Sequence, residues 1–160
     1  MEEGTTVTPG TEVARIDGPA GNLLKVERTM LNYLQRLSGV ATLTRRYVDA
    51  VAGTGARILD TRKTTPGWRE LEKYAVRSGG GSNHRMGLHD MVLIKDNHLR
   101  LQRQERGKMA LPDAVRLARE AAPELEVEIE VESLEELQNV LDAGPDYILL
   151  DNFSPRQVAA

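Results

Sequence analysis

The chain has 160 residues, 40% of them hydrophobic and 28% charged, enough for a domain-sized core and too apolar for a disordered segment. It has no cysteine, which excludes a disulfide scaffold, a thiolate metal site and a cysteine nucleophile. With 21 basic against 24 acidic residues and 4% aromatics, it lacks both the basic field and the stacking surfaces of a nucleic-acid binder.

In chain order, residues 1–20 are rich in Gly, Thr and Pro, and the alternation Glu12-Val13-Ala14-Arg15-Ile16 predicts a strand or hairpin. From Asn22 the period lengthens. Leu23, Met30, Leu34, Leu37, Ala41, Val48 and Val51 follow the steps of an amphipathic helix, with Ser38-Gly39 as the place for a kink or a split. Arg57–Thr64 reads as a strand, Pro66–Arg77 as a helix with Pro66 at its start, and Gly79-Gly80-Gly81 as a flexible loop. Met91–Ile94 is a short buried strand ending in Lys95-Asp96-Asn97-His98, and the basic stretch Arg100, Arg103, Arg106, Lys108 reads as a polar linker. A helix follows near Pro112–Ala122 and a strand over Leu125–Val131. Ser133 and Glu136 form a capping box for the next helix, which Gly144 stops. Tyr147–Leu150 is a fourth strand, and Ser154-Pro155 open a last helix.

Strands alternating with helices over short connections predict a parallel sheet, whose C-terminal strand ends are where such folds build active sites. Here those ends are ionisable: Asp60-Thr61-Arg62-Lys63, Lys95-Asp96-Asn97-His98 and Asp151-Asn152. Arg62, Lys63, His84, Arg85 and Lys95 gather cationic character at strand ends and between strands in a chain of net charge −3, which suits a polyanionic ligand. The plainer alternative pairs each with a nearby carboxylate. Glu128, Glu130 and Glu132 alternate with Val127, Ile129 and Val131 and so share one strand face. Glu130 and Asp151 suit sugar hydroxyls or Mg²⁺, which takes one or two carboxylates plus ligand phosphates. The alternative for Glu130 is a solvated edge or a pair with Lys95. His89 and His98 lack zinc-site spacing, and Trp68 reads as helix packing.

The blocks Glu27-Arg28-Thr29-Met30-Leu31-Asn32, Asp60-Thr61-Arg62-Lys63-Thr64-Thr65-Pro66-Gly67 and Asn83-His84-Arg85 stand in order along the chain. Leu93-Ile94-Lys95-Asp96-Asn97-His98, Glu128-Ile129-Glu130-Val131 and Leu149-Leu150-Asp151-Asn152 continue them. Together they resemble quinolinate phosphoribosyltransferase over about residues 9–156. The resemblance implies an α/β fold: part of a (β/α) barrel of parallel strands, preceded by the end of an N-terminal α+β domain. Residues 1–52 would end that N-terminal domain with linking helices, and 53–160 would supply the first four β/α units of the barrel. A complete eight-stranded barrel takes about 250 residues, so the chain reads as an internal portion of a longer enzyme. The family's glycine-rich strand for the ribose 5-phosphate would lie beyond it.

The resemblance further implies phosphoribosyl transfer from phosphoribosyl pyrophosphate to quinolinate with decarboxylation. The products are nicotinate mononucleotide, pyrophosphate and CO2, a pentosyltransferase step of NAD biosynthesis that uses Mg²⁺. Arg62, Lys63, His84, Arg85 and Lys95 correspond to residues lining the quinolinate and phosphate sites, and Glu130 and Asp151 to residues near the ribose and metal. Lys63, Lys95, Glu130 and Asp151 are the implied catalytic set. The counterpart of Arg28 reaches the neighbouring subunit's site, which implies a homodimer or a higher homo-oligomer. A cytoplasmic protein without nucleic-acid or membrane partners is expected, since Met1-Glu2-Glu3-Gly4 shows no secretory signal and no aliphatic stretch is bilayer-length. Two other readings stand beside this one: a Schiff-base barrel lyase or aldolase using Lys95 as nucleophile, and a non-catalytic association fragment.

Overall fold

The structure is a computed structural model that describes residues 1–106 and 109–159. Two compact units divide it, Met1–Met86 and Gly87–Ala160.

In the first unit, residues 1–19 form turns at Glu3-Gly4 and Pro9-Gly10 and no strand, so the strand or hairpin expected at Glu12–Ile16 does not form. These residues are exposed throughout, and a short alternation with no partner ladder buries nothing. Helix α1 (Ala20–Ala50) then runs for 31 residues without the break expected at Ser38-Gly39. A single glycine costs a helix only about 1 kcal/mol. Of its predicted stripe, Leu23, Leu37, Ala41, Val48 and Val51 are half-buried, whereas Met30 and Leu34 remain exposed. The strand expected over Arg57–Thr64 is reduced to a parallel bridge between Leu59 and Ser82. Ser82 N–H donates to Ile58 O at 2.8 Å and Asp60 N–H to Ser82 O at 3.1 Å. Local bonds then turn the chain away, from Lys63 N–H to Thr61 Oγ1 at 3.0 Å and from Thr64 N–H to Arg62 O at 2.9 Å.

Helix α2 (Arg69–Ser78) starts after Pro66, not at it, because Gly67 has φ +77° and a left-handed residue cannot enter a right-handed helix. It packs on α1, where the Tyr33 and Trp68 rings stack with centroids 4.7 Å apart. Trp68 therefore serves helix packing as expected. Gly79-Gly80-Gly81 is not a flexible loop but a close crossing. A Cβ on Gly79 would lie 2.8 Å from Thr44 Cβ, and one on Gly81 would lie 2.8 Å from both Thr44 Cγ2 and Val76 Cγ1. Gly79→Ala is expected to cost about 1–3 kcal/mol by overpacking, read as a lower thermal midpoint; an unchanged midpoint would mean that α1 and α2 separate freely.

In the second unit, β1 (Val92–Ile94), β2 (Val127–Val131) and β3 (Tyr147–Leu150) form one parallel sheet in the order β1-β2-β3. Parallel neighbours need crossovers. Helices α4 (Leu111–Ala121) and α5 (Leu134–Leu141) provide them and pack on the sheet. Val127, Ile129 and Val131 alternate onto the face beneath these helices and are completely buried, with Ile94, Leu99, Val115 and Val140 around them. Helix α3 (Asp96–Arg106) occupies most of the stretch expected as a linker, and Lys108 lies outside the described residues.

The terminal signals of the helices act as read. Ser133 Oγ accepts from Glu136 N–H at 3.1 Å, although the Glu136 carboxylate returns to Glu132 N–H at 2.8 Å, one residue earlier than a standard capping box. Gly144, at φ +62°, follows α5, and the Ser154–Gln157 box opens α6 (Pro155–Val158). Among the described residues no helix is long and apolar enough to cross a membrane.

Candidate active site

The predicted cations of the first unit stand on two segments that leave the Leu59–Ser82 bridge side by side. Arg62 and Lys63 follow Asp60, while His84 and Arg85 follow Asn83. Arg62 is half-buried and its Nε is buried without an acceptor among the described residues, whereas Lys63 is exposed. His84 and Arg85 are half-buried. Beneath them lies a cluster that the sequence reading passed over. Lys73, 1% exposed, pairs with Asp60, whose side chain is 6% exposed. Asp60 also accepts from His84 N–H at 2.9 Å and from Asn83 Nδ2. Lys73 Nζ donates to His84 O at 2.8 Å, and Asn83 Nδ2 to Lys73 O at 2.9 Å. A signal for it existed: Arg69, Glu72, Lys73 and Val76 hold the i, i+3, i+4, i+7 stripe of α2, which puts a lysine on a core-facing line.

Arg28 is exposed on α1, stands well before this cluster in sequence and has no hydrogen bond or ion pair with it among the described residues. Nearby on the same helix, Arg36 reaches Glu72 at 3.0 Å. Burial acts to raise the Glu72 carboxyl, but the Thr65 hydroxyl, the Arg36 guanidinium and the Thr65 N–H outweigh it and hold the group below its ordinary value.

In the second unit the strand register sets the geometry. Leu93 pairs with Glu128 and Ile94 with Ile129, so Lys95, the next residue, comes beside Glu130 and forms an ion pair with it. Of the two plainer alternatives for Glu130, a solvated edge or a pair with Lys95, the pair is the one formed. Lys95 keeps 41% of its side chain exposed and Glu130 only 9%. Glu128 and Glu130 share a face as expected, Glu128 being buried, while Glu132 lies just past the strand and is exposed. Glu130 pairs in register with Leu149, two residues before Asp151, which leaves the sheet through its N–H bond to Val131 O at 3.0 Å. Asn152, at φ +57°, holds Asp151 Oδ2 through Nδ2 at 2.8 Å. Lys95, Glu130 and Asp151 thus share the C-terminal end of this sheet, on the face opposite α4 and α5.

His98 serves the backbone: its Nδ1 accepts from Lys95 N–H at 3.0 Å and steadies the start of α3. At the other end of the sheet Asp146 takes the Val127 N–H at 2.8 Å and Arg119 at 3.1 Å. The Val127 bond is the main cause that holds its carboxyl below the ordinary value; burial opposes it and Arg119 adds to it. That end secures the sheet; the opposite end carries the ionisable groups. Two shallow surface depressions, one beside Arg36 and Trp68 and one beside Arg116 and Arg119, contain none of the predicted site residues.

Residues 40–160 match the family model described as quinolinate phosphoribosyl transferase, C-terminal domain, and residues 1–38 match the N-terminal domain of the same family. The chain belongs to the quinolinate phosphoribosyl transferase family. It is 51% identical over 153 residues to the nicotinate-nucleotide pyrophosphorylase [carboxylating] of Mycobacterium leprae, covering 96% of this chain and 52% of that one. To the human protein of the same name it is 42% identical, covering 99% of this chain and 52% of the relative. Crystalline NadC from Streptococcus pyogenes superposes with a TM-score of 0.88 at 44% identity, over 99% of this chain and 54% of that one. The chain spans about half the length of the curated relatives it matches. The likeness carries the fold class that the resemblance implied: an α/β chain whose parallel β/α units form part of a barrel.

Proposed function

We propose that this chain forms part of an enzyme that transfers phosphoribose from phosphoribosyl pyrophosphate to quinolinate and decarboxylates the product. Beyond family membership, the observation that carries the reading is the buried Arg62 Nε, which has no acceptor among the described residues and is a charged donor that an incoming carboxylate would satisfy. Arg62, His84 and Arg85 would orient the two carboxylates of quinolinate, with Lys63 and Lys95 taking phosphate and pyrophosphate oxygens.

The pyridine nitrogen attacks ribose C1 as the bond from C1 to the pyrophosphate oxygen breaks, and that oxygen keeps the electron pair. Positive charge develops at C1, where the Glu130 and Asp151 carboxylates would stabilise it. The quaternised nitrogen then accepts the electrons of the adjacent ring–carboxylate bond. CO2 leaves and the ring carbon takes a proton. Glu130 keeps Lys95 on one oxygen and Asp151 keeps Asn152 on one of its own, so each carboxylate has a second oxygen for a ligand. Those free oxygens suit Mg²⁺ held by one or two carboxylates together with substrate phosphates. When bound, Mg²⁺ would offset the charge of the departing pyrophosphate. The same reading makes the protein a cytoplasmic homodimer or higher oligomer in which Arg28 serves the neighbouring site. The exposed apolar side chains Val26, Met30 and Leu34, which fall on one side of α1, support a covered helix face.

The test is to complete the chain to the length of its relatives and supply quinolinate, phosphoribosyl pyrophosphate and Mg²⁺. Nicotinate mononucleotide and CO2 are expected in equal amounts. A folded protein that neither binds quinolinate nor releases CO2 would overturn the reading, and borohydride trapping of a carbonyl substrate on Lys95 would replace it with the lyase.

A further inference from the structure

Helix α2 carries basic side chains at four-residue intervals, Arg69, Lys73 and Arg77, one above another on the same face. A basic stripe of this kind beside an anion site would ordinarily be read as ligand-binding. Among the described residues its hydrogen bonds go elsewhere. Arg69 donates from Nε to Thr64 Oγ1 at 3.3 Å, from Nη1 to Met86 O at 3.2 Å and from Nη2 to Arg62 O at 3.4 Å. Lys73 takes Asp60 and His84 O, and Arg77 Nη1 donates to Asn83 Oδ1 at 2.8 Å. The acceptors belong to two segments only, 60–64 and 83–86, and these are the segments that bear Arg62, Lys63, His84 and Arg85.

We infer that Arg69, Lys73 and Arg77 form a positioning ladder that sets the spacing and orientation of the Arg62-Lys63 and His84-Arg85 segments. This inference rests on the proposed function for the ligand those segments take. The physical case is one of accounting for backbone groups. Beyond the Leu59–Ser82 bridge the regular pairing ends, and there the carbonyls of Arg62, His84 and Met86 accept donors from the stripe, Arg62 O in addition to the Thr64 N–H. Arg69 and Lys73 each span both segments, and Arg69 does so through a planar fork that offers its donors in fixed directions. Each carbonyl so held fixes the backbone from which a substrate-facing side chain departs. The ladder residues are therefore positioning groups that stay beneath the ligand.

The experiment compares wild type with Arg69→Met and Arg69→Lys in the chain completed to family length. Arg69→Met is expected to raise the KM for quinolinate about tenfold to a hundredfold, since misplacement of about 1 Å has effects of that order. The kcat should stay within about threefold, and Arg69→Lys should restore little of the loss. A KM within twofold of wild type overturns the inference. So does a rise in KM accompanied by a matching fall in thermal midpoint, which would make Arg69 merely structural.

Hydrogen exchange separates this from the proposed reaction. In Arg69→Met, amides of 62–64 and 84–86 should exchange about tenfold faster or more, with those of α1 unchanged. Unchanged exchange in these segments overturns the ladder whether or not quinolinate binds. Wild-type protein that fails to bind quinolinate overturns the proposed function and leaves the exchange result to decide the ladder.

Discussion

Lys73→Ala is expected to lower stability by about 3–5 kcal/mol, because removing one member of a buried pair leaves the other charge uncompensated. Asp60 would keep only its neutral donors, the His84 N–H and Asn83 Nδ2, in a site from which water is excluded. The His84 carbonyl would lose the Lys73 ammonium as well. Trp68 is the chain's one tryptophan and stacks on Tyr33 at the α1–α2 contact, so its fluorescence during urea unfolding reports on this unit. A shift below about 1 kcal/mol would mean that the pair adapts by admitting water or by neutralising itself. Arg15→Ala provides the contrast. Arg15 and Glu12 are paired at 2.8 Å but both are mostly exposed, and no measurable change is expected.

The second large effect concerns the ligand. Arg62→Ala in the completed chain should weaken quinolinate binding by about a hundredfold, the loss of about 3 kcal/mol expected of charge-assisted hydrogen bonds to a carboxylate. Arg62→Lys should recover only a minor part, since an ammonium cannot present the same pair of donors. Arg116→Ala, on an exposed helix face bonded to Asp113 and Glu120, should leave affinity unchanged. Calorimetric titration with quinolinate distinguishes the cases. Equal affinity in Arg62→Ala and Arg116→Ala would remove Arg62 from the site.

The second unit was far more legible than the first. Its strands are short apolar runs bounded by helices whose ends carry explicit chemistry: Ser133 with Glu136, Gly144, and Ser154 with Gln157. Such signals act over three or four residues and depend on nothing distant. Arg57–Thr64 and Glu12–Ile16 both read as strands, but a strand exists only if a partner offers a ladder. The first found one bridge to Ser82 and the second found none. Gly79-Gly80-Gly81 read as slack because composition is blind to the Thr44 and Val76 side chains that make its missing Cβ atoms necessary.

The candidate site divides along the same line. Residue types, order and spacing were enough to mark Arg62, Lys63, His84, Arg85, Lys95, Glu130 and Asp151 and to point to the family, since those properties are carried by the chain itself. Tertiary structure alone decided what each residue contacts. It placed Lys95 against Glu130 through the register of β1 on β2. It also turned Lys73 inward onto Asp60 and directed the α2 stripe to backbone carbonyls. Lys73 reads as a surface lysine until α2 docks. Burial then makes its charge dependent on a partner 13 residues away, because in a dry interior an ammonium must find its acceptors within the protein.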